Sequence, residues 1–206
     1  MRLYYAQYAC SLAPHVVARE AGIPIELVEV DISTHTLKNG ADYFAINPRG
    51  YVPALELDDG TVLTEVAAIV QYLADLKPES NLVPKAGTFE RVKLQAWLTF
   101  VGTELHKQFS PWLFHAETAE STVQAIKAKI ASRFAELDRT LAVQPYLMGE
   151  HFTIADAYAF AIVRWAPMMK MDLGAYPSLA AWLARVGSRA TVRQAIATEQ
   201  TKREAA

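Results

Sequence analysis

The chain has a single cysteine, Cys10, among its 206 residues. It cannot close a disulfide on itself, nor build a structural zinc site from several thiolates. It also lacks a charge excess: the formal net charge is −2, which offers no global field for nucleic acid or an anionic membrane. No apolar h-region follows Met1, so no secretory signal is expected. The most apolar helical stretch, Ile154 to Met169, carries Asp156 and Arg164 and is too short to span a bilayer. Gly-rich phosphate loops, a nucleophile elbow, clustered carboxylates, internal repeats and low-complexity tracts are missing. His15, His115 and His151 have no acidic or cysteine companions at metal spacing and read as structural or surface residues, so no metal is expected. What remains is 52% hydrophobic and 20% charged, the composition of a soluble globular protein in a reducing, cytoplasmic setting.

The stretch from Gly50 to Leu76 organises the first part of the chain. Ala54, Leu55 and Leu57 read as a strand, Asp59-Gly60 as a two-residue hairpin, and Val62-Leu63 as a second strand. Thr64 then caps a helix whose first residue is Glu65 and whose apolar stripe is Val66, Ile69, Val70 and Leu73. Pro53 sits at the mouth of the first strand, where Val52-Pro53 is a candidate cis bond that aims the Val52 backbone outward. Backbone edge groups and a helix end then share one side of a sheet, which outlines a ligand site. Upstream lie a strand at Arg2 to Ala6, a helix from Ser11 to Ala21, a strand from Ile25 to Ile32 and a weak helix from Leu37 to Phe44. This β-α-β-α-β-β-α order predicts a mixed four-stranded sheet with helices on its faces.

Pro78, Pro84 and Gly87 mark a linker after residue 77, and everything beyond it reads as helix. Two domains are therefore expected, residues 1–77 and 88–206. Long amphipathic helices are predicted from Phe89 to about Phe114 and from Thr122 to Leu141. Thr153-Ile154-Ala155-Asp156 is a capping box with aspartate at its fourth position. Tyr176-Pro177 opens a helix through Val186, another spans Thr191 to Thr198, and the tail from Lys202 is expected to fray.

Cys10 lies between the first strand and the first helix, where helix N–H groups and the dipole favour a thiolate. Ala13 stands where a resolving thiol would be, so any partner thiol comes from outside. A buried, inert cysteine is the other reading. Tyr4 and Tyr8 read as core residues, whereas the strand-end hydroxyl of Tyr5 is a candidate donor to a thiolate. On the long helix, Leu94, Trp97, Leu98, Val101, Leu105 and Phe109 form a core stripe. Thr99, Gly102, Thr103, His106 and Ser110 share a second face. Gly102 costs about 1 kcal/mol against alanine inside a helix, which implies a close approach there by a helix or a ligand. His106, flanked by Glu104 and Lys107, is the polar centre of that face; ordinary hydrogen bonding and ligand binding both fit it.

These motifs together resemble the cytosolic glutathione transferases over essentially the whole chain. A thioredoxin-like β-α-β-α-β-β-α domain with Val52-Pro53 and Thr64-Glu65 is joined to helices carrying Phe152-Thr153-Ile154-Ala155-Asp156. Ala9-Cys10-Ser11-Leu12-Ala13, Asp42-Tyr43-Phe44, Asn47-Pro48 and Thr103-Glu104-Leu105-His106-Lys107 are similar to the bacterial beta class. The resemblance implies an α/β thioredoxin-like domain that binds glutathione, followed by an all-helical bundle domain that contributes a hydrophobic co-substrate site, in a homodimer. It implies that Cys10 contacts the glutathione sulfur and can form a mixed disulfide with it. Val52 would pair through its backbone with the cysteinyl unit, Glu65 and Val66 would hold the γ-glutamyl end, and position 35 the glycine end. Thr99, Thr103, Glu104 and His106 would lie near the peptide, some of them reaching from the partner chain. His35 replaces a usual lysine, Val66 a serine or glycine, and Thr99 an asparagine. The implied activity is conjugation of glutathione to hydrophobic electrophiles, with Cys10 and His106 as catalytic residues and glutathione-dependent disulfide reduction through Cys10. The alternatives are a carrier of hydrophobic ligands, with Trp112, Phe114, Trp165 and Met168 to Met171 lining a pocket, or a dehalogenase or isomerase specialist.

Overall fold

The computed structural model describes residues 1–204, with side chains through Gln200. Ala205 and Ala206, the end of the tail expected to fray, lie outside the described residues. The chain forms two compact units, Met1–Val83 together with the segment from Arg189, and Pro84–Ser188.

In the first unit, β1 (Arg2–Tyr5) runs parallel to β2 (Glu26–Asp31), and α1 (Leu12–Glu20) makes the crossover. β4 (Ala54–Glu56) lies antiparallel to β1, with Leu55 opposite Leu3, and β5 (Val62–Thr64) closes that side. Four expected strands become five, in the order β3-β2-β1-β4-β5. The additional β3 is the two-residue Thr36–Leu37, which pairs with Val30 and Asp31 of β2. It replaces the start of the helix expected from Leu37 to Phe44. Only a 3₁₀ turn at Tyr43–Ala45 remains, where Asp42 accepts from the Phe44 amide at 2.9 Å. Edge pairing and a local side-chain bond satisfied this backbone better than a short polar helix could.

The turn at Asp59-Gly60 is one residue longer than expected. Gly60 N–H donates to the Leu57 carbonyl at 3.0 Å, Leu57 N–H to that of Thr61 at 2.8 Å, and Gly60 takes φ +84°. That is a type I turn followed by a left-handed residue, a three-residue hairpin in which glycine carries the positive φ. Side chains alternate along β1: Tyr4 joins Val30, Tyr43 and Ala54 on one face, while the fully buried Leu3 and Tyr5 point to the other. α2 (Val66–Asp75) buries Val66, Ile69, Val70 and Leu73, the stripe its spacing predicts.

The last helix, α8 (Ala190–Glu204), belongs to this unit and not with the other C-terminal helices. Its attachment to α1 is polar and buried. His15, 1% exposed, shares a 2.9 Å bond from Nδ1 with the carboxylate of Glu199, 3% exposed. Arg19 donates to His15 Nε2 at 2.9 Å and to the Thr198 hydroxyl at 2.8 Å. With Nε2 accepting, Nδ1 carries the ring hydrogen and donates to the carboxylate. Arg189 adds two 2.7 Å bonds to Glu20 at the end of α1.

The second unit is helical: α3 (Phe89–Phe100), a π-helical segment (Val101–His106), α4 (Lys107–Phe109), α5 (Glu120–Leu141), α6 (Ile154–Val163) and α7 (Pro177–Gly187). The single helix expected from Phe89 to Phe114 is thus broken. Ser110 is extended (φ −111°, ψ 129°) because it precedes Pro111, whose ring excludes the helical conformation there. Leu94, Leu98, Val101, Leu105 and Phe109 are buried as their spacing predicts, whereas Trp97 is only half-buried. Every residue of α6 is buried, as suits a helix apolar on all sides.

Asp156 secures the start of α6. Completely buried, it accepts from Thr153 N–H (3.0 Å) and hydroxyl (3.1 Å), Leu147 N–H (2.9 Å) and Trp182 Nε1–H (3.0 Å). The expected capping box is therefore present and also ties in the preceding loop and α7. Burial raises the proton affinity of this carboxyl, and the four donors oppose that.

Removing one member of a buried charged cluster leaves its partners unpaired, at a cost of roughly 3–5 kcal/mol. Glu199→Ala is expected to destabilise the protein by about 3 kcal/mol, read from urea denaturation. A change below about 1 kcal/mol would mean the α1–α8 cluster adds little to stability.

Candidate active site

Cys10 is 6% exposed and its thiol donates to the Val52 carbonyl at 3.4 Å. Such a bond uses the thiol hydrogen, so the cysteine meets a backbone acceptor as well as the start of α1. Ser11, directly after it, is committed elsewhere: its hydroxyl donates to the Ala6 carbonyl and accepts from the Ala6 amide, both at 3.2 Å. Tyr5 does not serve the thiol. Its hydroxyl is buried, makes no hydrogen bond among the described residues, and is kept protonated chiefly by that burial.

The Val52-Pro53 bond is cis, the form for which the corner is a candidate. The preceding carbonyl, that of Tyr51, accepts from the Tyr43 hydroxyl at 2.9 Å and from Asn47 Nδ2 at 2.7 Å. Two buried side chains thereby hold the loop that presents Val52. His35 approaches the same loop, with Nδ1 3.2 Å from the Gly50 carbonyl and its ring 4.5 Å from that of Phe44. A Cβ at Gly50 would stand 2.8 Å from both His35 Nδ1 and the Phe44 ring, so glycine is required there.

Glu65 is the cap and not the first residue of α2. It takes φ 70°, ψ 123°, and Val66 begins the helix. A non-glycine residue with positive φ costs of order 1–3 kcal/mol and persists only where its surroundings hold it. Its exposed carboxylate lies 3.1 Å from Arg49, a partner that sequence reasoning missed because an ion pair sixteen residues apart leaves no local signal. Val66 is 4% exposed, so its side chain fills core and only its amide could meet a ligand.

In the second unit the predicted polar face divides. The hydroxyls of Thr99 and Thr103 donate to carbonyls one turn back, Gln95 and Thr99, each at 2.9 Å. Glu104 accepts from Arg133 Nε (2.9 Å) and Nη2 (2.7 Å) on α5, with Lys129 at 3.7 Å. Arg133 holds its carboxyl below the usual range, and Lys129 adds to that. The close approach expected at Gly102 is loose: an added Cβ would sit 3.6 Å from the Tyr158 hydroxyl, an ordinary contact.

His106 has the most distinctive surroundings. Its Nδ1 is 2.7 Å from the Tyr158 hydroxyl, and its ring meets those of Tyr158 and Trp165 edge-on at 5.8 and 5.4 Å. Burial, with the Lys107 charge adding to it, pushes the imidazole down from 6.5 to about 4. It is neutral at physiological pH and can offer a hydrogen bond but no formal charge. Nearby, Phe114 packs on Trp165 at 5.1 Å, while Trp112, Phe114 and Met168 are 46%, 43% and 51% exposed.

Two family profiles cover most of the chain: "Glutathione S-transferase, N-terminal domain" over residues 9–76 and "Glutathione S-transferase, C-terminal domain" over residues 96–190. The chain belongs to the glutathione S-transferase family. It is 43% identical to Glutathione S-transferase GstA of Escherichia coli O157:H7, across 98% of this chain and 100% of that relative. Among solved structures, the ternary complex of BphK, a bacterial transferase, superposes with a TM-score of 0.95 at 45% identity, covering 97% of this chain and 100% of that one. The bacterial beta-class transferase of Sphingomonas chungbukensis superposes with a TM-score of 0.93 at 39% identity, covering 97% of this chain and 98% of that one. The beta-class resemblance drawn from Cys10 and His106 and their neighbours agrees with these matches.

For this glutathione S-transferase fold, the neutral state of His106 has a consequence for stability. Its folded value near 4 lies below the ordinary 6.5, so the unfolded chain binds more protons between the two. Stability contributed by His106 is present above pH 6.5 and is lost as the pH falls toward 4. His106→Gln is expected to lose less melting temperature than the parent between pH 7 and pH 4.5. Parallel curves for the two proteins would contradict a neutral, buried imidazole.

Proposed function

We propose that the protein conjugates glutathione to small hydrophobic electrophiles and that glutathione also reduces disulfide substrates through Cys10. The observation that carries this is the 3.4 Å contact between the Cys10 thiol and the Val52 carbonyl, beside the helix start capped by Glu65. It sets a thiol against backbone suited to an extended peptide whose own thiol is to react. In this reading the first unit binds glutathione: Val52 pairs with the cysteinyl backbone, Glu65 and the Val66 amide take the γ-glutamyl end, and His35 takes the glycine end. On the second unit, Thr99, Thr103, Glu104 and His106 take the roles the resemblance gives them. The hydroxyls of Thr99 and Thr103 keep acceptor lone pairs, and Glu104 acts through its fixed geometry with Arg133. The half-exposed Trp112, Phe114 and Met168 offer apolar surface to the electrophile. The working form is a cytoplasmic homodimer.

Conjugation needs glutathione to lose its thiol proton to solvent, after which the sulfur bonds to the electrophilic carbon as the leaving group departs. Disulfide reduction runs by two exchanges. Cys10 gives up its thiol proton to solvent, and the thiolate attacks the glutathione sulfur of a substrate–glutathione disulfide, forming Cys10–S–S–glutathione and releasing the substrate thiolate. A second glutathione then attacks the mixed disulfide, releasing oxidised glutathione and restoring Cys10.

Cys10→Ala is expected to keep measurable conjugation and lose disulfide reduction; unchanged reduction would remove Cys10 from that path. Titration calorimetry at neutral pH tests the whole reading, with glutathione uptake expected and no detectable heat of binding counting against it. Binding with no turnover across a panel of electrophiles would instead favour a carrier of hydrophobic ligands.

A further inference from the structure

We propose that Tyr158 is a positioning residue for His106: its hydroxyl donates to Nδ1, fixes the imidazole as the Nε2–H tautomer, and leaves Nε2–H as the ring's one donor for the reacting molecule. This rests on the reading of His106 as a site residue and specifies what that residue can do.

Several observations converge on it. The 2.7 Å separation is the usual length of a bond donated by a hydroxyl, whereas ring N–H donors sit nearer 2.9–3.0 Å. A neutral imidazole nitrogen is a strong acceptor and a phenol a good donor, which favours the same direction. The imidazole is neutral at pH 7, so it holds a single hydrogen, and the partner of one nitrogen decides where that hydrogen resides. Edge contacts with Tyr158 and Trp165 pack against the ring. Among the described residues Nε2 has no hydrogen-bond partner, so its N–H is available.

The support for Tyr158 is rigid. It is 4% exposed on α6, two residues after the Asp156 carboxylate that anchors that helix through four bonds. His106 ends a π-helical segment, where the extra residue per turn changes which side chains face α6. Gly102, in the same segment, leaves space beside the Tyr158 hydroxyl. The arrangement suits donation to a thiolate sulfur or a departing anion. It disfavours a role for His106 as proton acceptor, because Nδ1 is occupied and Nε2 already carries hydrogen.

The test uses the full-length protein labelled with ¹⁵N-histidine, with glutathione and a chromogenic aryl halide as substrates. Long-range ¹H–¹⁵N spectra at pH 7 are expected to show His106 with Nδ1 bare and Nε2 protonated. In Tyr158→Phe that preference should weaken, and kcat should fall about tenfold, the worth of one hydrogen bond, with the glutathione KM within about twofold. In a His106→Ala background the same substitution should have no further effect on kcat. His106→Gln, whose amide N–H lies near the position of Nε2–H, should recover part of the activity lost in His106→Ala. A protonated Nδ1 in the parent overturns the proposal, as does an equal fall in kcat whether or not His106 is present. If Tyr158→Phe does not fold, the parent spectrum decides. A parent with the Nε2–H tautomer but no conjugation would overturn the transferase reading while supporting the tautomer.

Discussion

A carboxylate is stable in a protein interior only when donors surround it, and Asp156 collects four from three separate parts of the second unit. The Leu147 amide comes from the preceding loop, Thr153 from the cap of α6, and the indole of Trp182 from α7. Satisfying one buried charge therefore sets the start of α6 and the approach of its neighbours together. Because α6 is apolar on every side, it could sit at several rotations and depths; the anchored end selects one of them. Tyr158 inherits that placement, and the imidazole of His106 takes its orientation from Tyr158.

The first unit reaches its functional geometry by a different route, through backbone. Its candidate ligand edge is the loop from Gly50 to Pro53 and the start of α2, and little of it depends on exposed side chains. Tyr43 and Asn47 hold the Tyr51 carbonyl, Cys10 meets that of Val52, and Glu65 sits at a positive φ between the end of β5 and the start of α2. An edge built from main chain tolerates substitution of its side chains. This explains how Val66 can stand where the family resemblance points to serine or glycine: the side chain is core and the amide stays in place. His35, in turn, lies against the Gly50 carbonyl with its ring tilted on that of Phe44, at a position where the family resemblance points to lysine.

Much of this was legible in the chain, and the failures have physical causes. The cis candidate at Val52-Pro53, the capping box and the apolar stripes of α2 and α3 are local patterns, and local patterns survive folding. The weak helix expected from Leu37 to Phe44 lost to edge pairing with β2, a partner no local window contains. The long helix expected through Phe114 ended at Ser110, although Pro111 was visible and its effect on the preceding residue could have been used. The partner of Glu104, Arg133, stands twenty-nine positions away, a pairing that no local window contains. The last helix was assigned by sequence order to the helical domain, yet its buried partners His15 and Arg19 lie in α1.

The β-α-β opening, the closing hairpin and its helix, the helical character of the second part, the lone thiol at the head of a helix and the family itself were determined by sequence alone, because each rests on spacing and on residues near one another in the chain. Tertiary structure decided which donors surround Asp156, where α8 docks, that Ser11 is spent on Ala6, and that His106 is neutral with Tyr158 at its Nδ1. Those outcomes depend on burial and on partners brought together from distant positions, and neither exists until the chain has folded.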